Sequence, residues 1–286
     1  MQKKPADLLV FTDMDGSLLD HYTYSHAAAD TLLASLAKHG VPVIANTSKT
    51  RKELEALRHE LDNTHPFIAE NGAAVFLPKH AFPQQPDGTE DTESYWVKAF
   101  SPPRQHWQSL IQQQAAGLNT CFQTFADAGI DGIAKMTGLS IEKAQLAAER
   151  EYGEPIQWLG TDDEANAFFS LLEQQGAQIL RGWRFSHVSG HCDKGIALQW
   201  LHAHYQQALG KTLTTIALGD SQNDVAMLDA ADYAIIIQSP VHAAPTLLTA
   251  TEKQSASRLV TTSATGPEGW VQGITVTLNQ LGIKLP

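Results

Sequence analysis

Three short apolar runs stand out along the chain: LLVFT at 8–12, PVIANT at 42–47 and TTIAL at 214–218. Each has strand length and no polar alternation, the pattern of a strand covered on both faces. Between the first two lies 26–39, with Leu32, Leu33 and Leu36 on one helical face. After the second lies 50–61, with Leu54, Leu57 and Leu61 on one face. Strand, helix, strand, helix predicts a parallel sheet with helices on its faces. Such sheets gather their chemistry at the carboxyl ends of the strands, and Asp13, Ser48 and Asp220 each follow such an end.

The middle of the chain has another rhythm. PQQPDGTED at 83–91 is rich in proline, glycine and polar residues and reads as a hinge into a second unit. That unit carries predicted helices at 102–116, at 141–152 between Ser140 and Gly153, and at 163–175 before Gly176. Short strands at 120–125, 155–159 and 178–187 complete a small sheet with helices on one face. The first rhythm resumes at 193–208, where Asp193 caps a helix whose Ile196, Trp200 and Ala203 are predicted to face inward. The second unit is therefore read as an insertion, 85–186, in a domain made of 1–84 and 187–286.

Composition narrows the functional classes. The 286 residues are 43% apolar, enough for a substantial core. Thirty-one acids against 20 bases give a formal net charge of -11, which repels nucleic-acid phosphate and anionic lipid headgroups. Neither a nucleic-acid nor a membrane partner is expected, and an anionic substrate must have its charge met locally by a metal or a few placed cations. No apolar run reaches bilayer-spanning length, and MQKKPADLLVF lacks the features of a signal peptide. The location expected is cytoplasmic, with Cys121 and Cys192 as reduced thiols. Oligomeric state is not legible.

Four polar signals fall in loops after strands: DMDGS (13–17), NTSKT (46–50), DKG (193–195) and GDSQND (219–224). Singly each is weak, since DxDG also resembles part of a calcium loop and Asp15 and Asp220 could be helix caps. Together, Asp13, Asp15, Asp220 and Asp224 bring as many as four carboxylates to one sheet edge. Two carboxylates about 4 Å apart repel by roughly 4 kcal/mol at an effective dielectric near 20, so the cluster must gain protons or a cation. Oxygen-only ligands favour Mg²⁺ over Zn²⁺.

In this order, DMDGS, NTSK, DKG and GDSQND resemble the four signature motifs of the haloacid dehalogenase (HAD) superfamily of phosphohydrolases. ENG at 70–72, GWRFSHVSG at 182–190 and GPEGW at 266–270 further resemble the mannosyl-3-phosphoglycerate phosphatase family within it. The resemblance runs from about residue 8 to 275. It implies an α/β fold: a Rossmann-like parallel-sheet core with an inserted α+β cap of the C2 (C2B) type.

It also implies roles. Asp13 is the expected nucleophile, forming an aspartyl-phosphate, and Asp15 the general acid and base. A two-residue step in extended chain puts both side chains on one face, and the turn at Gly16 completes the alignment. Asp13, Asp15 through its carbonyl, and Asp220 are the expected Mg²⁺ ligands, with Asp224 orienting water or Lys194 behind them. Ser48 and Lys194 would hold the transferring phosphoryl group. Lys49, Glu70 and Asn71 are placed at the substrate rim, and Arg184 and His187 on the cap, Arg184 pairing with a glycerate carboxylate. Trp183 stands where relatives carry a small residue and would narrow the sugar pocket.

The activity implied is hydrolysis of mannosyl-3-phosphoglycerate or glucosyl-3-phosphoglycerate to the glycosylglycerate and phosphate. Alternatives are a broader sugar-phosphate phosphatase, a phosphomannomutase-like phosphoryl transfer and non-enzymatic sugar-phosphate binding. Bland readings are preferred elsewhere. His187, His191 and Cys192 lack a fourth zinc ligand. Trp96, Trp107 and Trp158 read as cap core rather than a sugar platform. The stretch TTSATGPEGW at 261–270 either reaches the site or turns into a final helix at 269–281.

Overall fold

A computed structural model describes residues 4–285 apart from 116, 119 and 183, so the expectation for Trp183 lies outside the described residues. Chain order is β1 Leu8–Thr12, α1 Asp30–Lys38, β2 Val43–Ala45, α2 Arg51–Glu60, β3 Phe67–Ala69, β4 Ala74–Pro78, β5 Glu90–Asp91 and β6 Tyr95–Ala99. Then follow α3 Arg104–Gln114, β7 Phe122–Thr124, α4 Phe125–Thr137, α5 Ile141–Ala148, β8 Glu154–Trp158, α6 Asp162–Gln174, β9 Gln178–Arg181 and β10 Ser186–Ser189. The chain closes with α7 Lys194–Leu209, β11 Thr214–Gly219, α8 Val225–Ala230, β12 Tyr233–Gln238, α9 Ala250–Ser255, β13 Leu259–Thr265 and α10 Gly266–Gln280.

Among the described residues, the central sheet has five parallel strands in the order β13-β12-β11-β1-β2. β1 is buried along its whole length because both its faces are covered. Leu8 and Val10 pack with Leu36, Leu54 and Trp270 on one side, and Leu9 and Phe11 with Leu198 and Leu201 on the other. That two-sided burial is why the run shows no polar alternation. A second, antiparallel sheet, β7-β8-β10-β9, carries α3 and α6 on its covered face around Trp107 and Phe168. The fold is thus an α/β parallel-sheet core with an antiparallel-sheet cap, the arrangement the resemblance implies.

A third sheet, β3-β4-β6-β5, joins the core through a bridge between Asn46 and Ile68. Its strand β6 pairs with β4 across the expected boundary at 84/85, and the expected return at 187 lies inside β10. Trp96 accordingly packs against the core cluster, whereas Trp107 and Trp158 sit among cap aromatics.

Two helices depart from the predicted pattern. Helix α5 stops at Ala148 rather than 152, and the N–H groups of Glu151, Tyr152 and Gly153 turn to the Glu70 carboxylate. On α7, Ile196 and Ala203 are exposed and Trp200 only half-buried. Lys194 points inward and sets the phase, so Ala197, Leu198, Leu201 and Tyr205 form the buried face. The run 178–187 is two antiparallel strands, β9 and β10. The 261–270 stretch is the end of β13 followed directly by α10, which starts at Gly266.

Candidate active site

The register of the central sheet aligns Thr12 with Leu218 on one side and with Ala45 on the other, all in parallel. Three carboxyl ends therefore meet, and the loops after β1, β2 and β11 converge. Asp13 takes its place there by donating its backbone N–H to Leu218 O at 2.9 Å. Behind it, Thr12 Oγ1 donates to Asp13 O at 2.7 Å and accepts from Trp270 Nε1 at 3.1 Å, a buried chain that ties the strand end to α10.

Lys194 enters from the first turn of α7. A cation opposes the helix dipole at that end, and Lys194 is also completely buried. Its partners explain both facts: Nζ donates to Asp13 Oδ1 and to Asp224 Oδ1, each at 2.6 Å. Burial alone would strip its charge, but the two carboxylates outweigh it and hold Lys194 above the usual lysine range. Asp224 Oδ2 accepts from the N–H groups of Asp220 and Ser221 at 3.0 and 3.1 Å, which fixes the GDSQND loop.

Carboxylate oxygens of Asp13, Asp220 and Asp224 lie within 4.8 Å of one another, and all three residues are buried. One ammonium against three carboxylates leaves a deficit of positive charge. Burial first, then the charges of Asp224 and Asp220, push Asp13 up to about 8 against the pull of Lys194. Burial and Asp224 push Asp220 up to about 6, with Ser239 and Lys194 pulling the other way.

Gly16 brings Asp220 this close. It has φ +78°, and a Cβ there would lie 2.6 Å from Asp220 Oδ2, so only glycine fits. Three buried polar atoms of the same loops, Asp15 Oδ1, Ser17 Oγ and Asn46 Oδ1, have no hydrogen-bond partner. Buried polar atoms in native proteins are nearly always satisfied. An all-oxygen donor set with orphaned acceptors fits a hard divalent cation and an oxyanion rather than zinc.

Asp15 does not join the carboxylate cluster. Its Oδ2 pairs with Lys49 Nζ at 2.8 Å, and burial, which disfavours the Lys49 charge, is outweighed by Asp15 and Glu53, so Lys49 stays above the usual lysine range. The Ser48 carbonyl accepts from Arg150 Nη2 at 3.1 Å, and no described hydrogen bond uses the Ser48 hydroxyl. Asn71 Oδ1 accepts from Asn223 Nδ2 at 3.1 Å, linking the ENG turn to GDSQND. Gly72, at φ +90°, lets that turn press against the Asp193 carbonyl, where a Cβ would lie 2.1 Å away.

The remaining predicted residues sit differently. Glu70 does not face the rim, because three backbone N–H groups of 151–153 and the Arg150 guanidinium, at 3.4 Å, take up its carboxylate. Arg184 is exposed, and its Nη1 donates to Thr137 O at 3.1 Å. His187 lies in β10, where burial and the Arg150 charge push it down to about 3, so its ring is neutral. Sequence reasoning passed over Ser17, Asn46 and Arg150. The first two lie inside the quoted motifs, and their orphaned atoms appear only once the loops are brought together.

Comparison with known proteins identifies relatives of the chain. The family of haloacid dehalogenase-like hydrolases matches the chain over residues 10–256. The chain is 36% identical over 267 residues to a glucosyl-3-phosphoglycerate/mannosyl-3-phosphoglycerate phosphatase of Methanococcoides burtonii, covering 93% of this chain and 95% of that one. A protein of the same description from Persephonella marina is 31% identical over 277 residues, 96% and 98% of the two chains. Among solved structures, a phosphatase of the HAD superfamily from Bacteroides thetaiotaomicron superposes with a TM-score of 0.65 at 17% identity, covering 97% and 96%. No helix among the described residues is long and apolar enough to cross a membrane.

Proposed function

The chain belongs to the haloacid dehalogenase-like hydrolase family, and from that premise we propose that it is a Mg²⁺-dependent phosphatase. The substrate proposed is mannosyl-3-phosphoglycerate or glucosyl-3-phosphoglycerate, the esters named for its relatives at 36% and 31% identity. The products are the glycosylglycerate and inorganic phosphate.

The observation that carries this reading is the buried bridge of Lys194 between Asp13 and Asp224, 2.6 Å on each side, beside Asp220. Asp13 attacks phosphorus with a carboxylate oxygen, a P–O bond to Asp13 forms, and the bond from phosphorus to the glycerate oxygen breaks. Asp15 gives its proton to the departing alkoxide. In the second half Asp15 takes a proton from water, the water oxygen bonds phosphorus, and the Asp13–phosphorus bond breaks to regenerate the carboxylate.

Lys194 keeps a positive charge against the transferring group throughout, and Ser17, Asn46 and Ser48 of the converging loops are proposed to offer it polar atoms. Asp13, Asp220 and the Asp15 carbonyl are the groups proposed to hold Mg²⁺, with Asp224 orienting Lys194 behind them. When bound, the cation supplies charge compensation for the phosphate oxygens. Free Cys121 and Cys192 and a small phosphorylated substrate accord with the cytoplasmic location expected from the sequence.

The experiment is phosphate release from a panel of sugar phosphates, phosphorylated sugar acids and glycosylphosphoglycerates, with and without EDTA. The reading requires a preference for the glycosylphosphoglycerates that disappears with EDTA and returns with Mg²⁺. An isomeric sugar phosphate in place of free phosphate rejects hydrolysis.

A further inference from the structure

Lys49 has a neighbour that phosphoryl transfer does not use. Its Nζ stands 5.4 Å from the centroid of the Tyr24 ring as well as 2.8 Å from Asp15 Oδ2. The same ring carries a second ammonium, that of Lys143 on cap helix α5, at 4.7 Å. Tyr24 is half-buried at the place where core and cap meet, with its backbone at φ +58°. A bulky residue adopts that conformation only where its surroundings impose it, and such strain collects at binding and catalytic sites. The phenol is held above the usual tyrosine range by burial and then by Asp15, with Lys49 and Arg184 opposing. The ring is therefore within electrostatic reach of Asp15 and of the cap.

Tyr24, Lys49 and Lys143 line one cavity of about 220 Å³ together with Leu19, Leu57 and Leu146. Lys49 belongs both to this cavity and to the ion pair with Asp15, so one wall of the cavity is the partner of the group proposed to protonate the leaving alkoxide. The cavity wall joins aliphatic and aromatic side chains, suited to the C–H face of a sugar ring, with the carboxylates of Glu53 and Glu60, while its cations lie at the Tyr24 end. Lys143 is exposed, and among the described residues no carboxylate forms an ion pair with it. An unpaired ammonium steadied over an aromatic ring is ready to take an anion, and on a chain of net charge -11 every such cation must act locally.

We propose that this cavity is the leaving-group subsite and that Lys143 is a specificity-determining residue, pairing there with the carboxylate of the glycerate moiety. The inference rests on the phosphatase reading above and adds to it a residue that recognises the second anionic group of the substrate. Arg184 need not serve that purpose, since its guanidinium is engaged at the Thr137 carbonyl.

The test compares the wild type, Lys143→Met and Lys143→Arg for kcat and KM on two esters. One is mannosyl-3-phosphoglycerate, and the other is its carboxylate-free counterpart, mannosylglycerol phosphate. The wild type should favour the carboxylate-bearing ester. In Lys143→Met the ratio of the two kcat/KM values should fall by about tenfold or more through a raised KM, and Lys143→Arg should keep most of it. A methionine variant that retains the wild-type ratio, or that loses both esters in parallel, overturns the assignment of Lys143 and leaves the phosphatase reading standing. A wild type that shows no preference for the carboxylate-bearing ester overturns the substrate reading, and the subsite with it.

Discussion

Asp13 is held in a condition that an isolated carboxyl would not tolerate. It is buried, it faces two further carboxylates within 4.8 Å, and among the described residues its direct counter-charge is Lys194 at 2.6 Å. At an effective dielectric near 20, each carboxylate pair at about 4 Å contributes roughly 4 kcal/mol of repulsion. Asp13→Asn keeps an oxygen for Lys194 and removes one negative charge. Its kcat should drop at least about 1,000-fold, because the proposed nucleophile is gone. In EDTA above about pH 8, where the wild-type Asp13 is ionised, the variant's melting temperature should rise by a few degrees rather than fall. Melting curves and single-turnover phosphate release measure the two effects, and a destabilised variant would show that Asp13 is primarily structural. This residue-level logic was legible in the sequence in outline, since acids gathered at strand ends had to gain protons or a cation, although Asp15 turns instead to Lys49. The orphaned atoms of Ser17 and Asn46 were not legible, because only the folded loops separate them from water and from partners.

Between elements, the joint from core to cap is centred on the Glu70 side chain. Glu70 reaches from the loop after β3 to the three N–H groups that follow α5, and its pairing with Arg150 continues to the Ser48 carbonyl. Arg51 to Glu151 at 2.6 Å and Thr50 Oγ1 to Leu146 O at 2.9 Å lie alongside. Glu70→Gln turns an NH₂ group toward backbone donors and leaves Arg150 short of a counter-charge. It should lose about 2–4 kcal/mol of unfolding free energy in a urea titration. Its kcat/KM should fall with it, because the Ser48 loop and the cap are positioned through the same contacts. Unaltered stability would remove Glu70 from the joint. Helix α7 shows why element faces are harder to read than element positions. It is apolar around much of its circumference, so hydrophobic spacing allows more than one inward face, and the inward lysine decides among them. The strands β12 and β13 were not drawn from the sequence at all: YAIIIQ fits a buried helix as well as a strand, and β13 is mostly polar or exposed.

For the whole molecule, stability, pH and cation are coupled. Asp13, pushed up to about 8, and Asp220, to about 6, bind protons more tightly folded than unfolded. Without a cation, their contribution is fully present below the ordinary aspartate range near 4 and is lost as pH rises through about 6 and then about 8. A divalent cation favours the ionised forms and acts against that loss. The rise in melting temperature on adding Mg²⁺ should therefore be larger at pH 8 than at pH 6, in parallel scans with EDTA as the reference. An equal rise at both values would separate the carboxylate cluster from the cation.

The strand that carries Asp13 lies between β2 and β11 in the sheet, and its backbone N–H is received by Leu218. On a ribosome, residues 8–12 emerge long before 214–219, and every strand of the cap sheet, from 122 to 189, is made in between. The cap can therefore complete its pairing in the nascent chain while the central strand still lacks a neighbour. The cap sheet is built first, and the sheet that carries the reactive carboxylates closes last.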